Sequence, residues 1–281
     1  MPVRLVAWWR PWRRVMAAEV LKQHRILFGT RFIYFSLLVW PGVNLATAYY
    51  GFKPFLGAAG LAQRWPSVSD PRTLFLFFTT GMLGYTFFWS LVQAAWQFSW
   101  ERFHGTLELV FLSPASRMAL VLANGAGALV QSTWLFLAFA CGLTALVGGL
   151  NLAHPGMLVV AFVGLLVPAV AWGAFLNSLF IFSRDSGFLY TILDEPMALL
   201  SGVRIPPQAL PALARAAGMA FPLSTSLIVL RGALLEARTL SDLWPRLLFL
   251  LALSAVLVGL AAMLLRWGEA HAKRSGSLTL F

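Results

Sequence analysis

Few side chains in this chain could take part in covalent or acid–base chemistry, and most of them stand alone. His24, His104, His154 and His271 fall on different segments, no H-E-x-x-H sets two of them on one helix face, and no G-x-S-x-G turn presents a serine nucleophile. Each histidine reads as an interfacial polar residue. The single cysteine, Cys141, permits no intrachain disulfide and no cysteine-based metal site, and nothing around it in its apolar run activates a thiolate. No G-x-x-x-x-G-K-[ST] is present, so the chain lacks the loop that cradles a nucleotide. Two polar stretches stand out: the segment 100–117, WERFHGTLELVFLSPASR, between two long apolar runs, and Asp194-Glu195-Pro196 inside another run.

The elements that must position these groups are membrane helices. Of the 281 residues 59% are hydrophobic and 11% charged, against the roughly one-quarter charged share of soluble domains. A bilayer core about 30 Å thick needs roughly 20 apolar residues per helix. Such runs lie at about 28–50, 74–98, 119–148, 157–182 and 245–266, with a shorter one near 187–203. The expected fold is therefore all-α, a polytopic membrane protein with six transmembrane helices over 28–266, preceded by an amphipathic elbow helix (1–27) and followed by a basic tail (267–281). Six crossings put both termini on one side. Of 21 Lys and Arg, thirteen are cytoplasmic if the termini are inside and eight if they are outside, so the positive-inside rule places both termini in the cytoplasm. The net charge of +11 is spread over span ends rather than one soluble face, which points to anionic lipid headgroups and not to nucleic acid. In the elbow, Leu5, Trp8, Trp9, Trp12, Val15, Met16 and Val20 form one stripe, and Arg10, Arg13 and Arg14 take the opposite face. No cleavable signal peptide is expected, since no short apolar run ends in a small-residue cleavage site.

Within this frame the first polar segment predicts a short helix over about 100–112, with Phe103, Leu107, Val110 and Phe111 on one stripe and Glu101, His104 and Glu108 on another. Ser113 before Pro114 reads as an N-cap followed by proline at the first helical position of the next span. Pro41-Gly42 predicts a bend in the first span. Asp194 and Glu195 come roughly 10 to 15 Å into the fifth run, so both side chains are expected to face protein or water rather than lipid. Three roles are open to them: an interhelical hydrogen bond, with Asn177 a candidate partner, the lining of a polar substrate route, or proton coupling. Beyond Gly202 the prolines at 206, 207, 211 and 222 prevent a simple crossing. Two short helices, about 208–219 and 223–236, are expected to form a re-entrant hairpin on the outer side, within about 203–240.

Glu101, Arg102, Gly105, Thr106, Leu107, Glu108, Ser113, Pro114, Ser116 and Arg117 resemble the E-R-x-x-G-T-L-E…S-P-x-S-R signature of the type-2 family of ATP-binding-cassette (ABC) exporter permeases. Glu195-Pro196-Met197 and Leu200-Ser201-Gly202, followed by Pro206 and Pro222, are similar to the family's E-x-P, L-S-G and proline-containing hairpin. The resemblance implies that 100–112 is a coupling helix docking on a separate ABC ATPase subunit, through Glu101, Arg102, Gly105, Thr106, Leu107, Glu108, Ser113, Pro114 and Arg117. It implies that Asp194, Glu195, Pro196, Ser201, Gly202, Pro206 and Pro222 line a pathway or outer gate. It also implies two ATPase copies that bind ATP and Mg, no cofactor on this chain, and a second copy of the chain. The expected place is a bacterial inner membrane. The rival reading is a membrane scaffold or assembly factor with no transport path, which needs no acids inside the bilayer. A lipid-modifying enzyme would need clustered His, Asp or Glu at one membrane face. Sparse polar lining in the spans favours an apolar or amphipathic cargo over a sugar chain.

Overall fold

The computed structural model describes residues 13–22, 24–25, 31–57, 65–103, 117–147, 152–181, 183 and 185–275. Among these every regular element is a helix. After a helical stretch α1 (13–22) come α2 (Arg31–Phe52), α3 (Pro71–Phe103), α4 (Arg117–Val147), α5 (Met157–Phe180), α6 (Ser186–Leu200), α7 (Ala212–Gly218), α8 (Pro222–Leu234) and α9 (Leu240–Ser275). In α1, Glu19 pairs with Lys22 at 2.9 Å, one turn apart.

Among the described residues, four helical stretches are long and apolar enough to cross a membrane: Pro71–Trp96, Met118–Gly142, Met157–Phe180 and Leu240–Gly268. The pair α7–α8 makes a fifth if counted as one bent span. These helices mark a multi-pass membrane protein. The expected first and fifth spans, α2 and α6, are not in that set. With 15 residues α6 reaches only about 22 Å, less than a bilayer core. At Pro41, where a bend is expected, α2 is not interrupted and runs on to Phe52.

The centre of the bundle is α3, which packs against α2, α4, α5, α6 and α8. Pro71 takes the first position of α3, where its missing N–H costs nothing, and the Asp70 carboxylate accepts the Thr73 N–H at 2.9 Å. The main core gathers Leu83, Phe87, Phe88 and Leu91 of α3 with Leu165 and Leu176 of α5 and Leu223, Leu227 and Leu230 of α8. A smaller cluster caps one end: Trp65 is buried edge-on against Phe52 (5.1 Å) and Phe77 (5.4 Å), tying the 52–72 connection to α2 and α3. By contrast α9 leaves Leu248, Phe249, Leu251, Val256, Leu260 and Met263 exposed, a face suited to lipid tails or another apolar surface.

The chain from Gly202 to Leu234 folds back on the bundle. Gly202 ends α6 at φ 85°, a conformation that glycine takes without a Cβ penalty. Then α7 and α8 meet at 87° around Met219–Phe221. Proline at the first position of α8 fixes its start. The two helices stand at 212–218 and 222–234, against about 208–219 and 223–236 read from the prolines. Almost all of α8 is buried, against α5, α3 and α9.

Candidate functional site

At intervals of four, four and three residues, Tyr85, Trp89, Gln93 and Trp96 lie on one face of α3. One turn apart on α6, Tyr190 and Asp194 meet this face. The Tyr85 hydroxyl donates to Asp194 Oδ2 at 2.8 Å. Trp89 Nε1 donates to the Tyr190 hydroxyl at 3.0 Å, and Gln93 Nε2 donates to the same oxygen at 3.3 Å. On the other side Trp40 of α2 stacks on Trp89, with centroids 4.8 Å apart and planes 15° from parallel. Trp96 packs on Tyr190 at 5.5 Å. Three helices thus share one seam in which aromatic rings are interleaved with a hydroxyl, an amide and a carboxylate.

Burial within the seam is graded. Asp194 is 4% exposed, and its Oδ1 has no hydrogen-bond partner among the described residues. Tyr190, Trp89 and Gln93 are half-buried, and Trp40 is open on its outer side at 41%. Beside it Val39 and Val43 of α2 are exposed apolar residues, while the exposed Phe188, Ile192 and Leu199 take the face of α6 opposite Tyr190 and Asp194. The seam can stack flat or apolar groups on its rings while its depth offers a few hydrogen-bonding atoms. It contains no activated nucleophile, and no group of three His, Cys, Asp or Glu among the described residues could hold a metal.

Asp194 is turned into the bundle, as its depth requires, but Glu195 is exposed. Neighbours on a helix point about 100° apart, so one face cannot bury both. The candidate partner Asn177 is elsewhere: its amide donates to Asn124 Oδ1 at 3.1 Å, joining α5 to α4. Tyr85 occupies the place at Asp194 instead. Pro196 lies within α6, Ser201 and Gly202 are buried at its end, and Pro206 and Pro222 bracket α7. Of these five only Ser201 has a side chain able to hydrogen-bond, and its Oγ has no partner among the described residues. They form the turn and hairpin beyond the seam. Of the segment resembling a coupling helix, Glu101 and Arg102 continue α3 to its end at Phe103 rather than starting a separate helix, and Arg117 begins α4. Gly105, Thr106, Leu107, Glu108, Ser113 and Pro114 lie outside the described residues, as does most of the elbow stripe.

Arg231 of α8 was not singled out from the sequence. Its Nε donates to Thr80 Oγ1 at 3.1 Å, and its Nη2 donates to the carbonyls of Phe77 at 3.1 Å and Gly202 at 2.9 Å. The guanidinium carbon stands 3.9 Å from the Phe77 ring centroid. One side chain therefore ties the hairpin to α3 and to the end of α6. The signal was available: a lone cation in the run SLIVLRGALL has to find acceptors.

The Tyr85–Asp194 contact carries a direct prediction. In Tyr85→Phe the Asp194 Oδ2 loses its hydrogen bond and the buried carboxylate is left with neither oxygen partnered among the described residues, so stability should fall by about 1–3 kcal/mol. Asp194→Asn keeps an oxygen to accept the tyrosine proton and should cost less. Thermal unfolding of the two purified variants and their double compares these outcomes. No protein-family model matches the chain, and no curated protein is significantly similar to it.

Proposed function

We propose that this chain is the membrane subunit of an ATP-driven exporter of the type-2 ABC class, working in a bacterial inner membrane as a pair of copies with two separate ATPase subunits. The observation that carries the reading is connectivity: the segment with the E-R-x-x-G-T-L-E…S-P-x-S-R pattern joins the end of α3 to the start of α4, and α3 packs on five other helices. A push delivered at 101–112 reaches α3 and α4 directly, and through α3 it reaches both walls of the Trp40–Trp89–Tyr190 seam. ATP and Mg belong to the partner, since the chain has no phosphate-binding loop.

In this mechanism the seam is the substrate route. Its rings take the apolar part of an amphipathic molecule, and Tyr85, Gln93, Tyr190 and Asp194 satisfy the polar part as it passes. The exposed apolar residues Val39 and Val43 of α2 flank the seam, and a second copy closes it from the front. Movement of α3 changes the spacing between α2 and α6, because both are held to it. The hairpin α7–α8 stands at the outer end as a gate, hinged at the turn between Gly202 and Pro206. Both termini are cytoplasmic in this arrangement.

The decisive experiment reverses the charge of the proposed docking face. In Glu101→Arg with Glu108→Arg, stimulation of the ATPase by the membrane subunit and coupled export should both fall by at least about tenfold, a coupling change on the order of 1.4 kcal/mol. Normal assembly of the variant is checked first, by its yield and its elution as the complex. Unchanged coupled hydrolysis and transport in a normally assembled complex would overturn the docking role.

A further inference from the structure

A second concave region, of about 760 Å³, opens between the 65–77 stretch, the hairpin and the start of α9. Its charge is one-sided. Arg215 of α7, Arg231 of α8, Arg238 of the connection that follows and Arg246 of α9 line it with a single carboxylate, Glu236. That carboxylate is already engaged by Arg238 at 2.7 Å. The nearby acids are occupied too: Asp70 takes the Thr73 N–H, and Asp242 accepts from the Thr239 N–H at 2.9 Å and its hydroxyl at 2.7 Å. Arg215 and Arg246 have no ion-pair partner among the described residues, and Arg231 Nη1 has no hydrogen bond among them while its side chain lines the cavity.

Guanidinium groups that line one concavity without matching carboxylates leave N–H donors turned to water or to an anion that enters, and the planar fork suits the oxygens of a phosphate. The volume lies within the usual range of small-ligand sites. Much of the wall is apolar, with Trp65, which suits a phosphate joined to a carbon chain. We infer that this cavity is a binding site for a phosphate group, either the headgroup phosphate of an anionic lipid or a phosphate that reaches it free in solution. The inference stands on the cavity and does not depend on the exporter reading.

The full-length protein is titrated in two arms while its thermal unfolding is followed: inorganic phosphate with the protein in phosphatidylcholine nanodiscs, and phosphatidylglycerol with the protein in detergent. The expected result is a rise in Tm that grows with ligand concentration in at least one arm and is lost in Arg215→Gln with Arg246→Gln. A shift with phosphatidylglycerol alone supports the lipid source, and a shift in both arms supports a phosphate entering freely. Lys53→Gln removes an exposed basic residue outside the cavity and should keep the full shift. Should the glutamine pair fail to assemble, Arg246→Gln alone is compared with Lys53→Gln. No shift in either arm overturns the site, as does a cavity variant that retains the whole shift or a Lys53→Gln protein that loses it.

Discussion

Arg231→Met should release the hairpin from the bundle and lower the unfolding temperature by roughly 10 °C, the largest effect expected of any single substitution here. Methionine preserves the apolar stem but removes three hydrogen bonds, to Thr80, Phe77 and Gly202, and the contact with the Phe77 ring. Hydrogen bonds to a charged donor are worth about 1.5–3 kcal/mol each, and a desolvated cation–ring contact up to about 2. The terms are not independent, since the groups share one side chain, and the cost of burying the guanidinium is recovered in the variant. A net loss of about 3–5 kcal/mol follows. Arg231→Lys should recover only part of it, because an ammonium lacks the planar fork that reaches a hydroxyl and two carbonyls at once. Amide exchange distinguishes hairpin release from general weakening: protection should fall over 203–234 and be retained over α5. An unfolding temperature and exchange pattern equal to the parent's would disprove the anchoring role.

Gly81→Ala should be the next most damaging change. A Cβ at this position of α3 would lie 2.3 Å from the Val203 carbonyl oxygen and 3.2 Å from Arg231 Nη2. The first neighbour is backbone and cannot rotate aside, so α3 and the turn after α6 have to separate, which lengthens the Arg231 hydrogen bonds as well. Overpacking of this kind costs about 1–3 kcal/mol, and the coupling to Arg231 puts the expected loss at the upper end. Gly125→Ala on α4 is the matched control. There the nearest atom, Leu91 Cδ2, is 3.6 Å away, an ordinary contact. That variant should be neutral or gain up to about 1 kcal/mol from the better helix former. Equal unfolding temperatures for the two variants would remove the close approach of α3 and the turn as an explanation of how the hairpin is held.

Sequence reasoning reached the parts of this structure that local chemistry determines. The prolines at 206, 207, 211 and 222 break the chain into pieces too short to cross a bilayer, and α7 and α8 occupy those pieces. Apolar run length found α3, α4, α5 and α9 for the same reason. The depth of Asp194 was enough to turn it inward. Its partner was not legible, because Tyr85 is 109 residues away and periodicity gives a residue its face without saying which helix meets that face. The stripe Tyr85, Trp89, Gln93 and Trp96 was open to reading at helical spacing, yet its polar atoms were hidden in a run dominated by phenylalanine. Arg231 escaped for a related reason: its acceptors are two backbone carbonyls and a threonine, which leave no charged partner in the sequence to search for.

The shortness of α6 has a consequence for the surrounding lipid. A rod of about 22 Å leaves roughly a quarter of a 30 Å hydrocarbon layer unspanned beside it, and hydrophobic mismatch of that size is met by local thinning of the leaflet or by water entering from one side. The gap falls where Gly202 ends the helix and the chain turns toward the hairpin. On the proposed exporter reading, an amphiphile departing there would meet a thinner oily barrier than beside the full-length helices.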